Sequence, residues 1–354
     1  MKKILSILLV LCLIGTAAVF AGGQKDADTP AEDSAAATPI VVSMATDVGG
    51  LGDKSFNDGA YAGLLMAQSK HGVEVRVVES KQQTDYVPNL SGLAEDGSSL
   101  VYAVGFLMEQ AIKEAAANNP DTYFAGIDIW AADTDPANFQ GISFNEHEAG
   151  YLAGVVAGMM TKEYASASDK LNDANVLGIV LGMFIPPVEK FEVGFIAGAK
   201  SVNPDVEIIS VTSGSFVDQA KGKEAALAMI EQGADIIFHA AGLTGLGAIN
   251  ACTEAGVMAI GVDVDQNNVA PDTVLTSAEK KIVQATYLTA KSVIDGNFKS
   301  GNAIYGIQQD AVGISPFHGF DSIVPQAVKD EVARVTSEMK AGNIDVPVSR
   351  ADLN

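Results

Sequence analysis

Residues 40–57 read Ile-Val-Val-Ser-Met-Ala-Thr-Asp-Val-Gly-Gly-Leu-Gly-Asp-Lys-Ser-Phe-Asn, and their order decides the fold. An apolar, β-branched run over 40–45 gives way to an acidic residue, a glycine-rich loop and, from Asn57 to His71, a stretch with helical spacing. A continuous apolar strand followed by a helix is the unit of a parallel sheet covered on both faces. The unit recurs downstream. Strands are expected at 73–79, 99–104 and 123–127, with helices around 85–95 and 108–118 between them. After Gly141-Ile-Ser-Phe a second series follows, with strands near 176–181, 206–211, 236–239 and 258–262 and helices near 188–202, 219–232 and 246–255. Two successive series predict an α/β protein with two doubly wound parallel-sheet lobes.

Beyond Ser277 the spacing predicts a helix over 279–295, a weaker strand near 303–307 and a last helix over 325–341. These are too few elements for a third domain, so they are expected to complete the first two sheets through a multi-crossover hinge. Lobe 1 is then 40–144 plus about 279–305, and lobe 2 is 145–278 plus about 306–354. Glycine and alanine recur at helical spacing over 146–161. That run is too short to span a bilayer, and its small residues suit a helix packed closely on another backbone. Residues 161–174 are polar and read as a surface insertion.

Ahead of the lobes, Lys2 and Lys3 precede an apolar run from Ile4 to Phe20 and a small-x-small pattern before Gly22. This is the pattern of a cleaved signal peptide over 1–21, and it predicts an exported protein, periplasmic or at the cell surface. Residues 22–39 have little to bury and read as a disordered tether. Cys12 lies inside the apolar run rather than at the cleavage site, which argues against a lipid anchor. Once the leader is removed only Cys252 remains, so no intramolecular disulfide can form. The formal charge of −22 excludes a phosphate-backbone partner, whose affinity needs clustered Lys and Arg.

Open α/β sheets bind ligands beyond the carboxyl ends of their strands. The residues there are Asp47 and Asp128 in the first lobe, and Gly182, Phe216, Ala240 to Gly242 and Asp263 in the second. Carboxylates accept hydrogen bonds, and glycines admit a ligand to the backbone. Asp47 and Asp128 serve equally well as caps, and Phe191, Phe216 and Phe238, each judged singly, fit packing better than ligand contact. Phe56 sits in a loop, where a purely structural hydrophobe is less expected.

Catalytic readings fail on spacing. Residues 263–268 begin like a calcium loop but carry Asn268 at the turn-glycine position and Val274 at the bidentate-Glu position. His71, His147, His239 and His318 form no metal-ligand pair and read as surface or capping residues. The glycines of 242–247 run GxxGxG, no phosphate-loop or nucleophile-elbow motif occurs, and Cys252 lies mid-helix without a base. No catalytic residue, cofactor or metal is expected.

The stretches 47–58, 150–161, 186–198, 233–247, 261–266 and 275–281 together resemble the basic membrane protein family of transporter substrate-binding lipoproteins, which includes purine nucleoside receptors. The resemblance covers nearly all of the mature chain. It implies a type I periplasmic-binding-protein fold, a monomer that closes on a purine nucleoside and delivers it to an ABC transporter permease. On that resemblance Phe56 and a second aromatic, Phe191 with Phe216 and Phe238 as rivals, stack on the base. Asn57 and Asp128 bond its edges, Asp47 fixes the ligand, Asp263 and Lys280 hold ribose hydroxyls, and Gly242 admits the ligand to backbone. The sequence departs from the family in lacking a cysteine at the cleavage site and in carrying Leu243 where glycine is frequent. A sensor-type receptor for a nucleoside or sugar shares these features, and a nucleoside hydrolase fits less well because 47–53 lacks a dense Asp cluster.

Overall fold

The computed structural model describes residues 39–353, so the signal peptide and the tether up to Thr38 lie outside the described residues. The first sheet is built from β1 (Val41–Thr46), β2 (Glu74–Glu79), β3 (Leu100–Val104), β4 (Tyr123–Ile127) and β5 (Phe139–Phe144). Between them run α1 (Phe56–His71), α2 (Tyr86–Glu95) and α3 (Glu109–Asn118). After α4 (Glu146–Met160), the second sheet follows with β6 (Val176–Leu181), β7 (Glu207–Thr212), β8 (Ala234–Ala240), β9 (Met258–Asp263) and β10 (Val274–Lys280). Its helices are α5 (Pro186–Val202), α6 (Gln219–Ile230) and α7 (Gly242–Ala255). The chain then returns with α8 (Ile282–Ile294) and β11 (Gly301–Tyr305) to the first sheet, and ends with β12 (Val312–Ile314) and α9 (Gln326–Lys340) at the second.

The strand orders are β2-β1-β3-β4-β5-β11 and β7-β6-β8-β9-β10-β12, the same order in both sheets. Every pairing is parallel except β12 with β10. Parallel strands are buried on both faces, and β1, β3, β6 and β8 accordingly have no exposed residue, whereas the edge strands β2 and β7 are partly exposed and each begins on a glutamate. The helices α1 and α8 cover one face of the first sheet and α2 with α3 the other; α4 with α5, and α6 with α7, do the same for the second.

Three segments cross between the sheets, after β5, after β10 and after β11. They are tied together: Asn145 N–H donates to the Tyr305 carbonyl at 2.9 Å, Ile307 N–H to Glu148 Oε2 at 2.7 Å, and Lys281 N–H to the Ala311 carbonyl at 2.8 Å. Beside this hinge α4 and α5 pack almost backbone to backbone. A Cβ on Gly154 would stand 2.2 Å from the Phe195 carbonyl oxygen, and one on Gly198 would stand 2.0 Å from that of Tyr151. No helix of the described residues is long and apolar enough to cross a membrane.

Four sequence expectations need correction. The segment from Val274 to Lys280 is a strand, so no helix begins at residue 279; Thr276 and Ser277 are tolerated in the sheet because Thr276 Oγ1 donates to the Ser315 carbonyl at 2.7 Å and Ser277 Oγ accepts Gln266 N–H at 3.0 Å. Phe56 opens α1 instead of lying in the loop before it. Residues 242–247 are the first turns of α7, reached through a left-handed Gly242 with φ of 54°. His239 is neither surface nor cap: it is 1% exposed in β8, with Nε2 3.0 Å from Gln266 Oε1.

Candidate functional site

Both sheets aim their carboxyl ends at one shared cavity. Asp47, Phe56, Asn57, Asp128, Phe191, Gly242, Asp263 and Lys280, the eight residues that the family resemblance assigns to the ligand, line it, whereas Gly182 is not among its lining residues. The strand order explains the convergence. Asp47 follows β1, beside the β1/β3 position where the strand order reverses, while Asp128 follows β4 and Asp263 ends β9 on the carboxyl edges of the same two sheets. Asp128 and Asp263 both hold left-handed backbone, with φ of 61° and 66°. Such a conformation is uncommon outside glycine and costs free energy that the surrounding structure must supply.

Lys280, at the end of β10, is the electrostatic centre. Its Nζ lies 2.6 Å from Asp128, 3.5 Å from Glu146 and 3.7 Å from Asp263, and it is 2% exposed. The Asp263 contact is the longest of the three. Burial opposes the ammonium charge, but Asp128, Asp263 and Glu146 together outweigh burial and hold Lys280 above the ordinary lysine range. The same ammonium stands over the rings of Phe56 at 4.7 Å and Phe191 at 5.8 Å, measured to the centroids.

Burial pushes Asp128 up to about 6, with Lys280 drawing it down and Glu146 driving it up. Asp47 is also pushed to about 6 by burial, against the favourable Gly49 N–H at 2.9 Å and the Asn57 amide at 3.3 Å. Asp263 is raised by burial and partly restored by Lys280 and by the Ser55 hydroxyl, which donates to Oδ2 at 2.6 Å. The Asn57 Nδ2 group faces Asp47 Oδ1 at 3.3 Å and Asp53 Oδ2 at 3.4 Å. Its Oδ1, like Oδ1 of Asp128, is buried without a hydrogen-bond partner among the described residues. Orphaned buried acceptors are costly, so these two atoms mark where a donor belongs.

Asp53 is a lining residue the sequence reading missed. It is buried, raised to about 6 by burial, and accepts the N–H groups of Asn57 at 2.8 Å, Ser55 at 3.0 Å and Asp58 at 3.1 Å. The Asp-x-x-x-Asn spacing before a helix was its signal, since Asp is a favoured residue at a helix start. Ile185, Pro187 and Val188 also line the cavity. So does Leu243, the departure from the family pattern noted above. Of the rival aromatics Phe191 and Phe216 line it, whereas Phe238 is fully buried between Phe195 at 5.1 Å and Phe191 at 6.0 Å and is a core residue. Cys252 is likewise core: burial pushes its thiol up to about 12, far from a reactive thiolate. The described residues contain no cluster of His, Cys, Asp and Glu able to hold a metal ion.

Two lobes of one topology, hinged by three crossings and closing polar and aromatic groups over a cavity, define a solute-binding protein. A solved structure of ABC transporter solute-binding proteins from Aeropyrum pernix K1 matches it with a TM-score of 0.81 at 26% identity, covering 89% of this chain and 95% of that one. The family model for PnrA-like ABC transporter substrate-binding proteins, Bmp, matches residues 40–350, and the chain belongs to this family. Basic membrane protein A of Borreliella burgdorferi is 33% identical over 87% of this chain and 88% of its own length. An uncharacterized lipoprotein of Pyrococcus abyssi is 32% identical over 93% of this chain and 83% of its own.

Proposed function

We propose that the chain binds a purine nucleoside between its lobes and presents it to the permease of an ABC importer. The observation that carries this reading is the division of the cavity: one wall supplies hydrogen-bond acceptors, among them the orphaned Asn57 Oδ1 and Asp128 Oδ1, and the other is largely aromatic and aliphatic. A nucleoside has matching halves. Its base offers a flat face for Phe56 and a second ring, worth about 1–3 kcal/mol per stacked base, and its amino, imino and hydroxyl groups offer donors. A fused purine covers more of the apolar wall than a single ring does. Carboxylates at Asp263 and Asp128 suit ribose hydroxyls or base N–H groups, while Lys280 keeps the acidic cluster compensated.

The test is to unfold the purified mature protein, identify any released small molecule by mass spectrometry, and titrate refolded protein with a nucleoside and sugar panel. Tight binding of purine nucleosides is expected; binding of free sugars with no nucleoside would overturn the reading. Loss of nucleoside uptake when the gene is deleted is expected of an importer component and not of a sensor. Export and release from the membrane belong to the same reading, and mass analysis of the mature N-terminus checks both.

A further inference from the structure

The contacts between the lobes include a set that lies beside the ligand cavity and holds the turn leading into Phe56 and Asn57 at the start of α1. The Ser55 hydroxyl, fully buried, donates to Asp263 Oδ2 at 2.6 Å and lies 3.2 Å from the Val262 carbonyl. One residue earlier, the Lys54 carbonyl accepts Gln266 Nε2–H at 3.1 Å, and Lys54 itself holds left-handed backbone with φ of 53°. Gln266 is 1% exposed and its amide has one orientation open to it. Its Oε1 accepts Val262 N–H at 2.9 Å and stands 3.0 Å from His239 Nε2, so Nε2 is left facing the other lobe. His239 is buried and held near 4 by that burial, so its ring is neutral and its Nε2 can donate to Gln266 at ordinary pH.

We infer that Ser55 and Gln266 form an interlobe latch: positioning residues that engage when the cleft closes and seat Phe56 and Asn57 against the ligand. The second lobe offers a preset N–H donor in Gln266 and two oxygens, those of Val262 and Asp263. The first lobe answers with the Lys54 carbonyl and the Ser55 hydroxyl. Both partners are on the two residues immediately ahead of Phe56, so the start of α1 is held from across the cleft. Opening the hinge must expose all of these groups to water, which gives the closed form a stabilisation independent of the identity of the solute. A latch of this kind acts on escape from the closed state, so it governs ligand dissociation.

The test pairs Ser55→Ala and Gln266→Glu with the hydroxyl-retaining Ser55→Thr in the mature protein. Gln266→Glu keeps an oxygen for Val262 N–H while removing the donor to Lys54, which separates a latch from a purely internal role in the second lobe. Spin labels at Asp133→Cys and Lys221→Cys, on exposed sites of the two lobes, report their separation with and without excess guanosine. Guanosine dissociation is followed by stopped flow. Expected are a larger open population in both latch variants, about tenfold faster dissociation, a single cooperative urea transition showing that each variant is folded, and near wild-type behaviour for Ser55→Thr. Distances and rates within twofold of wild type in both variants would overturn the latch. A wild type that ignores guanosine refutes the nucleoside reading, and the latch is then decided by the ligand-free distances alone. A wild type found only open in both conditions overturns the latch as well.

Discussion

The two walls of the cleft share a strand order and differ in chemistry. From the first lobe come Asp47, Asp53, Asn57 and Asp128; from the second come Ile185, Pro187, Val188, Phe191, Phe216 and Leu243. Each wall also carries exceptions. Phe56 and Phe106 are the rings on the polar side, and Lys280 with Asp263 the charged pair on the apolar side. The same topology thus positions groups at the same strand ends but leaves their character to the loops. The difference has an energetic side too: on the polar wall the Lys280 ammonium pairs with Asp128 while Asp47 and Asp53 rest on N–H donors, and the apolar wall is continuous with the core.

The largest effect is expected from removing that ammonium. Lys280→Met leaves Asp128, Glu146 and Asp263 buried around an apolar side chain, and breaking one partner of a buried ionic cluster costs about 3–5 kcal/mol. Urea unfolding at pH 7 measures it. Repeating the measurement at pH 5 sharpens the comparison, because Asp128, held near 6, then takes up a proton and the cost is expected to shrink. An equal loss at both pH values would mean that Lys280 acts by packing alone.

Next come the two rings. Phe191 is 3% exposed and packs on Phe238, so Phe191→Ala is expected to cost about 3 kcal/mol of stability as well as ligand affinity. Phe56 is half-buried at the head of α1, and Phe56→Ala is expected to spare most of the stability while weakening nucleoside binding at least tenfold, about 1.4 kcal/mol. Denaturation and calorimetric titration of the two variants give a direct ratio. If both lose stability alike, the second wall is not distinguished from the first by its continuity with the core.

The polar wall predicts a pH dependence of definite sign. Asp47, Asp53 and Asp128 are each raised by burial from the ordinary 3.8 to about 6, so the folded protein binds more protons than the unfolded chain between those values. Their contribution is fully present below about 4 and is lost as the pH rises through 6; stability should therefore increase on acidification from pH 7 to pH 5. The order of magnitude is ~2 kcal/mol per group. Thermal unfolding of wild type and of Asp47→Asn checks it, the variant showing the smaller gain. A wild type that loses stability steadily over this interval would show that these carboxylates are ionised and satisfied in the fold.

How far the walls could be read from sequence follows from the same physics. Asp47, Asp128 and Asp263 stand out because each interrupts or closes an apolar strand, and a charge at a strand end contrasts with what precedes it. Asp53 lies in a loop already full of glycine and polar residues, where nothing sets it apart until its three backbone partners are seen. The apolar wall was harder to read for the opposite reason. Ile185, Pro187 and Val188 introduce α5 and look like any buried helix start, and only the cleft distinguishes them from core. The strand Val274–Lys280 was concealed because its middle is Thr-Ser, whose side chains bond across to Ser315 and Gln266; local pattern cannot reveal a partner 38 residues away. His239 was misplaced likewise, its ring meeting Gln266, 27 residues on.

The smallest effect addresses which ring completes the apolar wall. Gly242 holds φ at 54°, and a Cβ there would sit 3.3 Å from the Phe216 carbonyl oxygen and 3.7 Å from its Cβ. Gly242→Ala is expected to cost about 1 kcal/mol through the left-handed backbone alone. Any effect on binding has to pass through Phe216, whose ring already lies so close over Gly182 that a Cβ there would meet it at 2.3 Å and which therefore has little room to yield. If Phe216 is the second stacking ring, Gly242→Ala weakens nucleoside binding about threefold beyond its stability cost, in the same direction as Phe216→Ala. If Phe191 is that ring, Gly242→Ala lowers the urea midpoint and leaves the titration unchanged. Phe191 then joins the two walls beneath the ligand through the Lys280 ammonium, which stands over it and over Phe56 together.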